Sequence, residues 1–328
     1  MSGAADWRPA APLERLRERA ALLAGIRDFF LRAGVLEVET PVCSVGANTD
    51  PHIESMATRY RGPGAARGVT FYLHTSPEFA MKRLLAAGSG PIYQICRVFR
   101  DGEAGRLHNP EFTMLEWYRP GFDHHRLMDE VAALVSHLLP RPCPVQRIAY
   151  GELFQRELGV DPHVSTVDRL RALAVAQGIG GAQALDLTDR DAWLDLLMSH
   201  CIEPGLGRGA LCFVYDYPAS QASLARIARD GTHPVAERFE LYMEGVELAN
   251  GFHELADPLE QRHRFEADLE RREGGGLPRV PMDERLLAAL EAGLPSCAGV
   301  ALGIDRLLMC LCGARHIEQV LAFPLERA

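Results

Sequence analysis

The sequence predicts a mixed α and β fold built on antiparallel hairpins, and three stretches carry that expectation. Residues 93–100 and 110–118 each alternate with a period of two, the spacing of a strand, on either side of a polar loop at 101–109. Residues 238–254 repeat the arrangement around Glu244-Gly245, a dipeptide suited to a two-residue turn. Residues 13–33 instead set Leu13, Leu16, Ala20, Leu23, Ile26 and Phe30 at helical intervals, with Gly34 as a stop.

Along the chain, the first helix leads into residues 35–40, which read as a strand ended by Pro41. Residues 73–77 read as the end of a strand and 78–87 as a helix opened by Pro77 and Glu78. In the first hairpin Cys96, Val98 and Arg100 share one strand face, and Phe112, Met114, Glu116 and Tyr118 share another. A ring, a carboxylate and a phenol therefore point the same way. The loop between is too long for a tight turn, and such loops held on rigid strands tend to carry function. Residues 124–210 read as amphipathic and helical, with breaks at 140–144 and 178–181 and no recognisable chemistry. A strand at 213–217, the second hairpin and a polar helix at 258–273 follow. Gly299, Ala301 and Gly303 then share a strand face just before a final helix.

Composition narrows the function classes. With 328 residues, 47% hydrophobic and 24% charged, the chain can bury a full core. No apolar run approaches the ~20 residues of a membrane span, and the first residues lack the basic and apolar regions of a secretory signal. A cytoplasmic chain with reduced thiols is expected. The eight cysteines, at 43, 96, 143, 201, 212, 297, 310 and 312, form no CxxC pair and read as inert. A net charge of −9 argues against a large nucleic-acid footprint. Lys82 is the sole lysine and is flanked by Met81 and Arg83, which excludes a GxxxxGK[ST] phosphate loop. If ATP is bound, arginines and a metal must hold it.

Two further groups have both a functional and a plain structural reading. With Glu244-Gly245 as the turn, Tyr242 pairs with Glu247 and Glu240 with Ala249, setting Glu240 and Glu247 diagonally on one face. Such a pair suits Mg²⁺ on a nucleotide's phosphates, or forms a solvated acidic face. The small residues at 299, 301 and 303 let a flat ring approach the backbone, or serve close helix–sheet packing. Arg306, in a first helical turn, opposes the helix dipole and wants an anion or a stacking partner.

Together these segments resemble the signature motifs of class II aminoacyl-tRNA synthetases, most closely the lysyl branch, over nearly the whole chain. The first helix, strand and Pro41 resemble motif 1, Phe99-Arg100 through Glu116 motif 2, and Gly299 to Arg306 motif 3. His108-Asn-Pro-Glu-Phe-Thr-Met, Ser76-Pro-Glu78 and Asn250-Gly-Phe-His-Glu254 are similar to lysyl-branch signatures. The resemblance implies an α+β class II catalytic core, a mostly antiparallel sheet flanked by helices. It implies one domain over 1–328, with 124–210 a helical elaboration, and a homodimer through motif 1.

ATP and Mg²⁺ are the implied cofactors. Arg100 would grip the α-phosphate, and Phe112 and Arg306 would enclose the adenine, which makes the two arginines the implied catalytic residues. Asp101, Gly102, Glu103, His108, Asn109, Glu247, Leu248 and Gly303 complete the implied ATP site, and Glu240 and Glu247 are the implied metal ligands. The implied amino-acid pocket is Ser76, Pro77, Glu78, Glu116, Tyr118, Asn250, Glu254 and Ala301. Its carboxylates suit a dicationic substrate, because one such charge left unpaired in a closed site costs about 3–5 kcal/mol.

The chain also departs from the lysyl enzymes. Gly102 stands where the family has a glutamate two residues after the motif 2 arginine, and the acid is Glu103 instead. Ala301 replaces a motif 3 glycine. About twelve residues precede the first helix, so no anticodon-binding barrel is expected. These departures resemble stand-alone paralogs of the lysyl branch. They imply that lysine or (R)-β-lysine is activated as an adenylate and passed to a lysine of elongation factor P, with neither tRNA nor membrane as partner. Lysyl transfer to tRNA without anticodon reading is one alternative. An ammonia-using asparagine synthetase would need arginines at Glu78, Glu116 and Glu254. A non-catalytic regulatory paralog would have lost Arg100, Arg306 or the metal carboxylates, and all are present.

Overall fold

The amphipathic stretch near the start of the chain folds as helix α1 (Leu13–Arg32), which buries Leu22, Ile26 and Phe30. In the computed structural model residues 7–328, other than 186 and 230, are described. Strands β1 (Leu36–Glu37), β2 (Cys43–Ser44), β3 (Ala57–Tyr60) and β4 (Val69–Leu73) precede helix α2 (Glu78–Ala86) and the hairpin strands β5 (Ile92–Phe99) and β6 (Glu111–Pro120). Next come α3 (His124–Leu138), β7 (Val145–Ala149), α4 (Tyr150–Leu158), α5 (Val167–Ala176) and α6 (Arg190–Leu197). Strands β8 (Leu211–Pro218), β9 (Ile227–Ala228), β10 (Val235–Met243) and β11 (Val246–His253) follow. Helices α7 (Pro258–Gly274) and α8 (Glu284–Gly293), strand β12 (Cys297–Gly303) and helix α9 (Ile304–Cys312) complete the order. The elements divide into two units, one holding the residues up to Gly121 and from Leu255 onward, the other Phe122–Glu254.

In the first unit β6 lies antiparallel to β5 on one side and to β12 on the other, while β1 runs parallel to β5. The register sets Val98 opposite Phe112, Cys96 opposite Met114, and both Gln94 and Ala301 opposite Glu116. Gly299 and Gly303 oppose Tyr118 and Met114. Directly opposed residues share a face. The ring, carboxylate and phenol of β6 thus stand between Val98 and Cys96 on one flank and the small residues of β12 on the other, as the alternation predicts. The strand expected over 35–40 shortens to β1, because the chain leaves β5 before Pro41, which has no N–H to offer a ladder. On the opposite face, Phe30 of α1 stacks on Tyr93 at 4.4 Å and meets Trp117 edge-on at 5.4 Å. Strands β2, β4 and β3 form a separate antiparallel sheet.

In the second unit β10 lies antiparallel to β8 and β11, and β7 runs parallel to β8. Glu244 and Gly245 both have left-handed φ, +53° and +73°, the two-residue turn expected of that dipeptide. Tyr242 pairs with Glu247 as predicted, but Glu240 pairs with Asn250 and not with Ala249. The cause is a bulge: Leu248 is an extra residue on β11. Its effect is specific. Glu247 and Asn250, three positions apart, would otherwise face opposite ways, and the bulge puts both on the face of Glu240. The 124–210 region, expected to be helical, also contains β7, a short run after Pro144 that fills the edge of β8. Tyr150, Phe154, Trp193, Val214 and Tyr242 are among the residues of this unit's core.

One buried carboxylate fastens the layers of the first unit. Strand β12 ends at Gly303, opposite Met114, so the backbone N–H of Thr113 lies past the end of that ladder. Asp305 Oδ2, in the first turn of α9, accepts it at 2.7 Å. Asp305 Oδ1 pairs with Arg19 of α1, which also donates to the Val320 carbonyl at 3.0 Å. Asp305 is 1% exposed. Asp305→Ala leaves both the guanidinium and the Thr113 donor without this acceptor and is expected to cost about 3 kcal/mol in urea unfolding. Asp305→Asn, which keeps one oxygen, is expected to cost less.

Candidate active site

Arg100 follows directly on β5, and its guanidinium lies over the Phe112 ring, 5.2 Å from the centroid. Its Nε donates to the Thr75 carbonyl at 3.4 Å, and its Nη1 lies 3.6 Å from Glu103. The displaced loop acid therefore reaches the arginine. Gly102 makes this possible with φ +75°, a conformation that a glutamate there would adopt only under strain. Asp101 Oδ1 accepts from the Gly102 N–H at 2.9 Å. The loop returns through a bridge between Gly105 and His108. Asn109 spends its amide on the backbone, donating to the Glu111 carbonyl at 2.7 Å and accepting from the Leu325 N–H at 3.0 Å.

Arg306 comes from the first turn of α9, where the sequence placed it. Its Nη2 is 2.7 Å from His108 Nε2. A guanidinium only donates, so that nitrogen of His108 is an acceptor and the imidazole is neutral. Partial burial, helped by Arg306, holds the His108 pKa below its ordinary value. A Cβ at Gly303 would touch the aliphatic stem of Arg306 at 3.8 Å, so this glycine backs the arginine.

Glu116 is 2% exposed. Its Oε1 accepts from Ser76 Oγ at 2.5 Å and its Oε2 from Tyr118 Oη at 3.1 Å, both neutral hydroxyls. Burial first, and the charge of Glu116 second, push the nearby Cys96 thiol up to about 12, so it stays protonated. Ser76 Oγ also accepts from the Glu78 N–H at 3.0 Å, and Pro77 caps α2. Lys82, one helical turn beyond Glu78 and 1% exposed, pairs with Glu78 Oε1 at 2.6 Å. The only lysine of the chain is thus a buried counter-ion, and the expected surplus of carboxylates is smaller than the residue list implies.

The second unit holds the remaining predicted residues. Glu240, Glu247 and Asn250 share the bulged face of β10 and β11, with Leu248 buried at the bulge. Glu240 Oε1 pairs with Arg238, and its Oε2 accepts from Tyr217 at 2.7 Å and Tyr242 at 2.5 Å. Burial alone would lower the Arg238 pKa, but Glu240 beside it more than offsets this and keeps it charged. Burial and then Glu240 keep both phenols protonated. Arg238 Nε also donates to Asn250 Oδ1 at 3.1 Å. Hard oxygens on one face fit Mg²⁺, with Glu247 half-buried and Glu240 retaining one lone pair on Oε1. Glu254, 2% exposed, follows β11 and bridges to Ala225.

Several residues that shape these groups were missed in the sequence. Arg238, two positions before Glu240 on one strand face, and Lys82, four after Glu78 on one helix, carry local signals of pairing. Arg19 and Asp305 carry none, because 286 positions separate them.

The chain matches the family of class II tRNA synthetases (D, K and N) over residues 3–327, and it belongs to that family. Among curated relatives, proteins named "Elongation factor P--(R)-beta-lysine ligase" are similar to it over 100% of both chains. The one from Klebsiella pneumoniae (strain 342) is 51% identical, and those from Edwardsiella ictaluri (strain 93-146) and Yersinia enterocolitica serotype O:8 are each 52% identical. No helix of the described residues is long and apolar enough to cross a membrane.

Five histidines, His74, His108, His125, His163 and His253, have pKa values held below 6.5, chiefly by burial. The unfolded chain binds protons at these sites before the folded one does, so their contribution to stability is present above pH 6.5 and is lost as pH falls below it. Asp195, raised by burial to about 6, acts in the opposite sense at lower pH. Urea unfolding is expected to show stability falling from pH 7.5 to pH 6, with a shallower slope in His74→Gln. A rise over that interval contradicts the assignment.

Proposed function

We propose that the chain is a ligase that activates (R)-β-lysine, or lysine, with ATP and transfers it to a lysine side chain of elongation factor P in the cytoplasm. The observation that carries this reading is the 51–52% identity, over the full length of both chains, to ligases bearing that name. In the first step a carboxylate oxygen of the amino acid attacks the α-phosphorus, the bond to the β-phosphate oxygen breaks, and pyrophosphate leaves. Arg100 stabilises the charge that builds on the α-phosphate oxygens. A preorganised donor of this kind is worth about 3–4 kcal/mol in a dry site. Arg306, oriented by neutral His108, and Phe112 enclose the adenine. Asp101, Gly102, Glu103, Asn109 and Gly303 shape the nucleotide side of the first unit, and Leu248 is the second unit's candidate nucleotide residue.

Glu240 and Glu247 would hold Mg²⁺, which supplies charge neutralisation on the phosphates. Glu116, whose two oxygens the Ser76 and Tyr118 hydroxyls orient, receives an ammonium of the substrate. Ser76 and Tyr118 serve the same ammonium in the first unit, and Asn250 and Glu254 are the second unit's candidate substrate residues. Pro77 and Glu78 support it at the start of α2. The methyl of Ala301, opposite Glu116, supports an amino group placed differently from that of α-lysine.

In the second step the ε-amine of the acceptor lysine attacks the adenylate carbonyl, the bond to AMP breaks, and the amine proton passes to solvent. No nucleophile of the chain takes part, which agrees with Lys82 being buried against Glu78. The protein acts as a homodimer through α1 and β1, where Leu31 and Leu36 are exposed.

The test is the intact mass of elongation factor P after incubation with this protein, ATP, Mg²⁺ and (R)-β-lysine. A gain of one lysyl unit is expected, slowed about 100-fold or more by Arg100→Ala. Glu116→Gln is expected to raise KM for the amino acid. Pyrophosphate exchange without any gain in mass would overturn the acceptor and leave the activation step standing.

A further inference from the structure

We propose that His124, Glu237 and His253, all in the second unit, form a binding site for one divalent transition-metal ion of the Zn²⁺ class. Glu237 and His253 are cross-strand neighbours on β10 and β11, one step beyond the pair Arg238–Phe252. Strand alternation turns them away from Glu240, so this site occupies the other face of the hairpin from the acidic group described above. His124, the first residue of α3, covers that face. One donor atom from each of the three lies within 4.8 Å of the others.

The donors are nearly all withdrawn from water. His124 is 5% exposed, and its Nδ1 is buried without a hydrogen-bond partner. The side chains of His253 and Glu237 are 10% and 16% exposed. A buried imidazole nitrogen with nothing to bond is costly unless a ligand answers it. His253 Nδ1 already lies 2.8 Å from Glu237 Oε2, so two of the three donors stand together before any ion arrives. A tetrahedral ion with bonds of about 2.0–2.1 Å sets its donors roughly 3.4 Å apart, so side-chain shifts of at most about 1.5 Å would close the set.

The surroundings favour a cation there. An open pocket of about 560 Å³ leads to the group, and it is lined by five of the chain's twelve histidines, His124, His125, His163, His233 and His253. Asp216 accepts from His124 Nε2 at 3.2 Å, which fixes the ring and leaves Nδ1 as the donor toward a metal. His125 and Asp216 form an adjoining set with His124. Asp123 and Asp216 offset the positive end of α3. Arg226, about half exposed, stands at the rim 3.3 Å from Glu237 and 3.4 Å from His253 Nε2. It compensates Glu237 and is free to turn outward when an ion takes over that role. Two imidazoles and a carboxylate select a borderline ion such as Zn²⁺ over Mg²⁺.

The test is calorimetric titration of untagged, chelator-stripped protein with ZnCl₂ at pH 7.5 in excess Mg²⁺. One Zn²⁺ per chain is expected. Both His124→Ala and Glu237→Gln should weaken it about tenfold or more, while Glu247→Gln keeps it. Should His124→Ala fail to fold by circular dichroism, the near-isosteric Glu237→Gln decides. Co²⁺ should give a visible absorption band that Glu237→Gln removes. No binding, binding equal in the two variants and the parent, or loss of binding in Glu247→Gln overturns the proposal.

Discussion

The Asp305 carboxylate is the constraint on which the arginine and ring of the first unit depend. Strand β12 stops one residue short of Thr113, and Asp305 takes up the donor that the missing residue would have met. A side chain thereby extends a backbone ladder. The same carboxylate sits in the first turn of α9, next to Arg306, so the position of that arginine is tied to β6 and to Phe112 one residue before Thr113. Arg19 neutralises the buried charge and draws α1 into the tie. Helix, strand and hairpin are held at one point, where a shift of any of them would leave a charge or a donor unsatisfied.

Charge is distributed unevenly among the acidic residues, and the unevenness has a physical logic. Glu78 and Glu240 are compensated within the chain, by Lys82 and Arg238, and serve as fixed framework. Glu116 accepts from the hydroxyls of Ser76 and Tyr118, which orient its oxygens. Arg100 has a loose partner: Glu103 lies at 3.6 Å, long for an ion pair between partly exposed groups. An anion can therefore displace it at low cost.

Much of this was legible in local pattern. The alternation of β5, β6 and β12 put Phe112, Glu116, Tyr118 and the small residues of β12 on matching faces, because a period of two admits only two arrangements. The Glu244-Gly245 turn was legible because few residue pairs accept left-handed φ twice in succession. The Leu248 bulge was not. Nothing in 246–253 marks the extra residue, and only the pairing with β10 reveals it. The strand β7 was hidden for a related reason: five residues after a proline become a strand only when an open edge such as that of β8 is available.

The sequence by itself determined the elements, the faces and the residue types able to handle a nucleotide and a cationic amino acid, since these depend on periodicity and on chemistry carried residue by residue. The tertiary structure alone decided which charges meet which partners. Lys82 against Glu78, Arg238 against Glu240 and Arg19 against Asp305 are facts of distance and burial. The gathering of His124, Glu237 and His253 belongs with them, because it joins residues more than a hundred positions apart through a helix crossing two paired strands. Coulomb energy and desolvation depend on those separations, and a linear pattern of residues does not contain them.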